Sequence, residues 1–204
     1  MKLTWHGHAC CTVETAQGTL VIDPYEDNYV PGLAPIRLSA DQVVCSHQHR
    51  DHNAVQIVTL SGSTPTYQLT SLETFHDKAE GAKRGKTLMF LLEAEGMRLA
   101  HLGDVGCALT AEQLEQLKDL DVLMLPVGGF FTIGPKEAQE FIQLLNPRIV
   151  VPMHYRSDTF GYEVLATVED FLALRDDAVR YEENWMEITP ETKGQTAVLT
   201  YQAP

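Results

Sequence analysis

The chain has 204 residues, of which 44% are hydrophobic and 21% are charged, as in an ordinary globular protein with a substantial core. Its 15 basic and 28 acidic side chains give a net charge of -13, which disfavours binding to nucleic acid or anionic membranes. No apolar segment is long enough to span a membrane, and residues 1–8 contain no signal-peptide core. We therefore expect one cytoplasmic domain over residues 1–204 that acts on a small molecule.

The cysteines match neither a zinc-knuckle spacing nor a disulfide framework, and two of the four, Cys10 and Cys11, are adjacent. This pattern favours reduced thiols in a cytoplasmic protein. The sequence leaves the oligomeric state open, a homodimer included.

The first half of the chain is typical of β-structure. Strands are predicted at 2–6, 10–15, 19–23, 42–45, 86–93 and 97–102. Gln17-Gly18 and Glu95-Gly96 supply the turns of two hairpins. The short apolar strand at 42–45 leads directly into a cluster of histidines.

The second half alternates strands with helices. Thr110 and Gln113 form a capping box before a helix over 111–117, and a helix that begins at Pro135 ends at Asn146-Pro147. A further helix near 168–175 and strands at 122–125, 149–151, 185–189 and 196–201 complete the prediction. Hairpins combined with strand–helix units favour an α+β fold in which helices cover sheets.

Four potential metal ligands follow the strand at 42–45 within six residues: His47, His49, Asp51 and His52. In an extended segment the side chains of His47 and His49 point to the same side. Imidazole and carboxylate groups are the ligands that zinc-like ions prefer, so a solvated polar loop is a poor explanation of this cluster. Two ions need further donors, and the candidates are His76, Asp104 and His154, of which the last two just follow predicted strands. Taken alone, each of the three is more often a structural residue, but together and in this order they match a known pattern.

With these motifs, the sequence resembles the metallo-β-lactamase superfamily, and in particular its small branch that includes ascorbate-6-phosphate lactonase-like proteins. The resemblance runs from Trp5-His6-Gly7-His8 to Pro152-Met153-His154. Ser46 stands where the family often has threonine, which also carries a hydroxyl. The resemblance implies a four-layer αββα sandwich with two metals at one edge of the sheets.

The resemblance also implies roles for individual residues. One ion would be bound by His47, His49 and His76, and the other by Asp51, His52 and His154. Asp104 would bridge the two ions, and Asp23 in Ile22-Asp23-Pro24 would support the metal loop. Zinc is the default metal, although manganese, iron and nickel suit the same donors.

Several other residues have two interpretations each. His8 and His101 either lie near the metals or are structural histidines in strands. Arg84, in a glycine-flanked basic loop, either binds a substrate anion or is a solvated charge. Tyr155 either donates a hydrogen bond to a developing oxyanion or packs, and Phe130-Phe131 either form a wall of the site or pack in the core.

The expected activity is hydrolysis of a small anionic ester or lactone by a metal-bound hydroxide, with Asp51 as the catalytic residue that orients the nucleophile and shuttles a proton. Metal-dependent phosphodiester cleavage is the alternative. A non-catalytic metal-binding sensor or scaffold is the second alternative.

Overall fold

Two β-sheets packed face to face form the centre of the computed structural model, which describes residues 1–204. In chain order the strands are β1 (Lys2–Gly7), β2 (Cys10–Thr15), β3 (Gly18–Ile22), β4 (Leu38–Ala40), β5 (Gln42–Val44), β6 (Val58–Leu60), β7 (Gln68–Phe75), β8 (Lys86–Ala94), β9 (Met97–His101), β10 (Val122–Pro126), β11 (Ile149–Met153), β12 (Ala178–Arg180), β13 (Trp185–Glu187) and β14 (Gln195–Val198). The helices are α1 (Ala111–Gln116), α2 (Pro135–Leu145) and α3 (Val168–Leu172). None of them has the length and apolar character needed to cross a membrane.

One sheet has five strands in the order β13-β1-β2-β3-β5, and the other has seven in the order β12-β14-β11-β10-β9-β8-β7. Side chains from both sheets meet in one continuous apolar core. Trp5 and Ile22 from the smaller sheet belong to the same buried cluster as Met89 and Leu123 from the larger one. The predicted α+β sandwich is therefore confirmed.

The two outer layers of the sandwich differ. Helix α2 buries Ala138 and Phe141 as part of the core of the seven-stranded side. The outer face of the five-stranded sheet is covered by the segment 24–37, a 3₁₀ turn at Val55–Ile57 and the short parallel pair β4-β6. Pro24, Pro31 and Pro35 within that segment disfavour an α-helix, because proline cannot donate the backbone hydrogen bond of a helix interior.

Most predicted elements are present within a residue or two of their expected ends. The capping box of Thr110 and Gln113 is formed, and α2 ends where Asn146 takes a left-handed conformation with φ 44°. The sequence-based prediction missed β4, β6, β7 and β12. Of these β7 is the longest, and it is an edge strand that pairs only with β8.

Strand directions bring the carboxyl ends of seven strands to one edge of the sandwich. In the smaller sheet β1 and β3 both run antiparallel to β2, and β5 is parallel to β3. In the larger sheet β7 and β9 both run antiparallel to β8, and β9, β10 and β11 are parallel. At this edge the backbone N–H of His154 donates to the carbonyl of His8 at 3.0 Å, which joins the two sheets. Such an edge is the usual position of a functional site in a sheet with parallel strands.

Candidate metal centre

The structure brings together all seven side chains that were predicted as metal ligands. Each one follows the carboxyl end of β5, β7, β9 or β11. Their donor atoms form groups in which all atoms lie within 4.8 Å of one another: His47, His49 and His76; His47, His52 and Asp104; and His8, Asp51, His52 and His154. His8, which follows β1, therefore lies among the donors. Of its two interpretations, a position near the metals is the correct one.

Asp104 lies at the centre of these groups. Its Oδ2 is 3.3 Å from the Nε2 atoms of His52, His76 and His154 and 3.8 Å from Nε2 of His47. Its Oδ1 and the Nε2 of His52 are buried and have no hydrogen-bond partner in the protein. An unpaired buried polar atom costs about 1–3 kcal/mol, so atoms left without a protein partner here fit a site that binds cations.

A network of hydrogen bonds around Asp23 orients two of the histidines. Asp23 is fully buried and accepts hydrogen bonds from the Ser46 amide at 2.5 Å, the Ser46 hydroxyl at 2.7 Å and Nδ1 of His52 at 2.9 Å. Nδ1 of His47 lies 2.9 Å from the Ser46 hydroxyl oxygen, which can accept its proton. In both histidines the contact at Nδ1 leaves Nε2 as the nitrogen on the side of Asp104, and this is the atom that would bind a metal ion.

The backbone of the site is held in unusual conformations. His8, Asp23 and His154 all have positive φ angles, between 51° and 54°, although none is glycine. Residues other than glycine rarely adopt this region, and strained backbone of this kind is concentrated at functional sites. Gly103 has φ +50°, and a Cβ there would lie 2.5 Å from the Leu88 carbonyl oxygen, so only glycine can lead into Asp104.

The protonation states of the histidines suit a donor set for cations. Burial lowers the pKa of His47 to about 3 and that of His8 to about 4, so both imidazoles are neutral near pH 7. His52 differs: burial opposes its charged form, but the carboxylates of Asp104 and Asp23 hold its pKa well above the usual value. The position between these two carboxylates therefore favours a positive charge, which is a proton on His52 when no metal is bound and would be a metal ion in place of that proton when one is.

A cavity of about 280 Å³ opens onto the donors. Besides ligand candidates, it is lined by Arg84, Phe131, Tyr29 and Tyr162. Arg84 therefore lies at the cavity, and no carboxylate pairs with its guanidinium. Phe131 lies in the cavity wall and Phe130 is 63% exposed, so the wall interpretation of this aromatic pair is correct.

Two of the residues that had two interpretations each, His101 and Tyr155, lie away from the cavity. His101 is fully buried, and its ring nitrogens contact the Ala9 carbonyl at 2.9 Å and the Gly103 amide at 3.2 Å. It therefore fixes the loop that carries Asp104. Tyr155 stacks on Trp5 with ring centroids 5.4 Å apart, inside the core. Of the two interpretations of Tyr155, packing is therefore correct and the oxyanion donor is wrong, because its ring is buried against Trp5 and does not line the cavity.

Tyr162 is the tyrosine that lines the cavity, and the sequence-based prediction missed it. Its ring lies 5.8 Å from that of His8 and 5.9 Å from that of Phe131. Burial and the nearby Asp51 carboxylate raise the pKa of its phenol, so the hydroxyl keeps its proton as a donor. Its position in an irregular segment after β11, without a motif, gave no signal in the sequence.

The sequence also matches a family model, described as a beta-lactamase superfamily domain, over residues 2–154. The chain belongs to the metallo-β-lactamase superfamily of metal-dependent hydrolases. The resemblance inferred from the motifs and the prediction of a hydrolase are both confirmed.

Proteins that are similar to this chain in sequence or in structure support its assignment to this superfamily. The chain is 31% identical over 191 residues to a metal-dependent hydrolase of Pyrobaculum calidifontis, with 77% of this chain and 85% of the relative covered. A solved Thermotoga maritima protein of the metallo-β-lactamase superfamily is 38% identical, with a TM-score of 0.79 and 97% of both chains covered. A metallo hydrolase from Ignicoccus hospitalis shares the fold at 22% identity, with a TM-score of 0.63 and coverage of 85% and 89%.

Proposed function

We propose that this enzyme hydrolyses a small anionic ester or lactone at a centre of two divalent metal ions, with zinc as the first choice. The observation that carries the proposal is the set of overlapping donor groups around Asp104, beside a cavity that is also lined by the unpaired Arg84. Seven ligands exceed the four that one tetrahedral ion needs.

In this proposal His47, His49 and His76 would hold one ion, Asp51, His52 and His154 would hold the other, and Asp104 would serve both. His8 adjoins the second set, with its Nε2 3.3 Å from Oδ2 of Asp51. When bound, such ions supply an activated water molecule and stabilise negative charge that develops on the substrate.

The protein side chains would handle the proton. Although burial alone would raise the pKa of Asp51, the hydrogen bond from His8 and the charge of His52 keep it below the usual value. Asp51 is therefore ionised near neutral pH and can accept a proton from the attacking water. Its side chain is 15% exposed, so the proton can pass on to the leaving group within the cavity.

Two other cavity residues would bind the substrate. Arg84 can contact a carboxylate or phosphate through two parallel hydrogen bonds, and this planar geometry favours an anionic substrate. Tyr162 carries a protonated phenol at the cavity wall and can donate to the oxygen on which charge develops. It takes the role that the sequence suggested for Tyr155.

A panel of esters, lactones and phosphodiesters, neutral and anionic, tests the proposal with zinc-loaded and chelator-treated protein. We expect ester or lactone hydrolysis that is lost on chelation and restored by zinc. Asp104→Asn should reduce turnover by more than the roughly 10–100-fold that removal of a supporting residue causes. Asp158→Asn, at an exposed aspartate, is the matched control and should change nothing.

Faster cleavage of phosphodiesters than of any ester or lactone would favour the phosphodiesterase alternative. Zinc binding without turnover of any member of the panel would contradict the proposed chemistry and support a role in metal sensing. We further propose that nucleic acid and membranes are not partners, on the basis of the net charge of -13.

A further inference from the structure

The cavity at the metal ligands has an aromatic wall. Apart from five of the predicted ligands and Arg84, the residues that line it are Tyr29, Phe131 and Tyr162. Only 8% of the chain is aromatic, yet no aliphatic side chain lines this cavity. The three rings come from three separate segments, one between β3 and β4, one after β10 and one after β11. Tertiary folding therefore gathers them at the site, and no single stretch of sequence accounts for them.

The three rings keep part of their surface free. Tyr29 is 38% exposed, and Phe131 and Tyr162 are half-buried. Tyr25 and Tyr155 differ, since each is buried within an apolar cluster of the core. The rings at the cavity therefore do more than pack, because they present open aromatic surface beside the metal ligands.

Contacts within the protein hold these rings in place. The guanidinium of Arg50 lies 4.6 Å from the centre of the Tyr29 ring, and that of Arg84 lies 5.4 Å from the centre of the Phe131 ring. The rings of Phe131 and Tyr162 meet edge to face, with their centroids 5.9 Å apart and their planes at 74°. Side chains that are fixed before binding lose little conformational freedom when a ligand arrives. The aromatic wall is therefore preorganised.

Such a wall distinguishes an aromatic ligand from an aliphatic one. The face of an aromatic ring is negative and its edge is positive, so two rings attract each other by more than their buried area accounts for. An aliphatic ring of the same size lacks this polarity and gains only from burial. Because the rings and the metal ligands share one cavity of about 280 Å³, an aromatic group bound there would lie within a few bonds of the group that reacts.

From this geometry we infer that the substrate carries an aromatic ring beside the reacting carbonyl group, and that Tyr29 and Phe131 determine this preference. The ring of Tyr162 completes the wall. The inference rests on the proposed function, because it places the aromatic group in the cavity of the same metal centre. It narrows the substrate class to esters and lactones of aromatic acids.

Benzoate and cyclohexanecarboxylate test this inference, because each carries one carboxylate on a six-membered ring and only the first ring is aromatic. Calorimetric titration of the zinc-loaded protein gives the dissociation constant of each acid. Any contact of the carboxylate with zinc or with Arg84 is common to both acids and cancels in the ratio of the two constants. We expect benzoate to bind more tightly, by roughly 2–12-fold for each ring contact that it forms. Burial alone would give no such preference, since the cyclohexyl ring has at least as much apolar surface.

Two leucine variants locate the preference. Phe131→Leu and Tyr29→Leu keep an apolar side chain and remove an aromatic ring, so each should lower the preference for benzoate by roughly 2–12-fold. Tyr29→Phe keeps the ring and should keep the preference. Trp185→Leu is the matched control: Trp185 is 37% exposed and has the ammonium of Lys2 5.0 Å from its ring, but it does not line the cavity. Zinc content, measured by elemental analysis, should be the same in all of these proteins.

The inference is overturned if the wild type binds both acids equally, prefers cyclohexanecarboxylate or binds neither. It is also overturned if either leucine variant keeps the preference of the wild type, or if Trp185→Leu lowers it as much as Phe131→Leu does. Esters of the two acids separate these results from failure of the proposed function. Hydrolysis of both esters with the same KM would contradict only the aromatic preference. A preference for benzoate that depends on Phe131, without turnover of any ester or lactone, would contradict only the hydrolytic proposal.

Discussion

Ser46 offers the sharpest test of how the protein orients its metal ligands. The hydroxyl of Ser46 donates to Asp23 at 2.7 Å and lies 2.9 Å from Nδ1 of His47, so Ser46→Ala removes two hydrogen bonds at once. Asp23 keeps its bonds from the Ser46 amide and from His52, but the Nδ1 proton of buried His47 loses its acceptor.

The structure sets the size of the effect. An unpaired buried donor costs about 1–3 kcal/mol. Without its acceptor, the ring of His47 is no longer held in the orientation that binds the metal, so this free energy is lost from metal binding. Each 1.4 kcal/mol is about a factor of ten in affinity, so zinc binding should weaken roughly 10–100-fold, the range typical of outer supporting residues. Ser46→Thr retains the hydroxyl and should keep most of the affinity.

Competition with a chromophoric zinc chelator measures this change directly. Ser61→Ala is the matched control, because Ser61 also donates to an aspartate, Asp41, but at an exposed position. An affinity of Ser46→Ala within a factor of two of the wild type would refute the reasoning. His47 would then be oriented by its surroundings and not by Ser46.

Three further predictions concern the metals, the substrate and the partners. Elemental analysis of zinc-saturated protein should give two ions per chain, and Asp104→Asn should lower this number while His101→Ala leaves it closer to two; a value of one in the wild type would contradict the dinuclear centre. Arg84→Ala should reduce kcat/KM for anionic esters roughly 10–150-fold, mainly through KM, because a charge-assisted hydrogen bond contributes about 1.5–3 kcal/mol; equal losses with neutral esters would contradict this role. Fluorescence titration with random oligonucleotides at physiological salt should show no binding, and a salt-sensitive micromolar complex would reverse that prediction.

The sequence predicted the ligand set because its donors occupy short motifs directly after strands. A strand end fixes the direction of the next few residues, so the cluster from His47 to His52 needed no tertiary information to be recognised. Helix α2 was also predicted from local signals alone, because Pro135 marks its first turn and Asn146 its end. The predicted ligands therefore came together as expected.

Features that depend on distant contacts were missed. Strand β7 has polar residues on much of its surface and no partner on its outer side, so its pattern gave no strand signal. Tyr162 reaches the cavity from an irregular segment, and its role follows only from its contacts with His8 and Phe131. Tyr155 was a candidate for the site because it adjoins His154 in the sequence, but its ring packs against Trp5 in the core, a contact between distant segments that the sequence does not show.

The hydrogen bond between His8 and His154 has a consequence for folding. The donors of the centre come from near the first strand and from β11, so the full set exists only after both sheets have docked. Metal ions would then bind the folded chain and not the unfolded one, and each bound ion would stabilise the fold in proportion to the logarithm of its free concentration. At a hundred times the dissociation constant that gain is about 2.7 kcal/mol. The melting temperature of this protein would therefore report how much metal its surroundings supply.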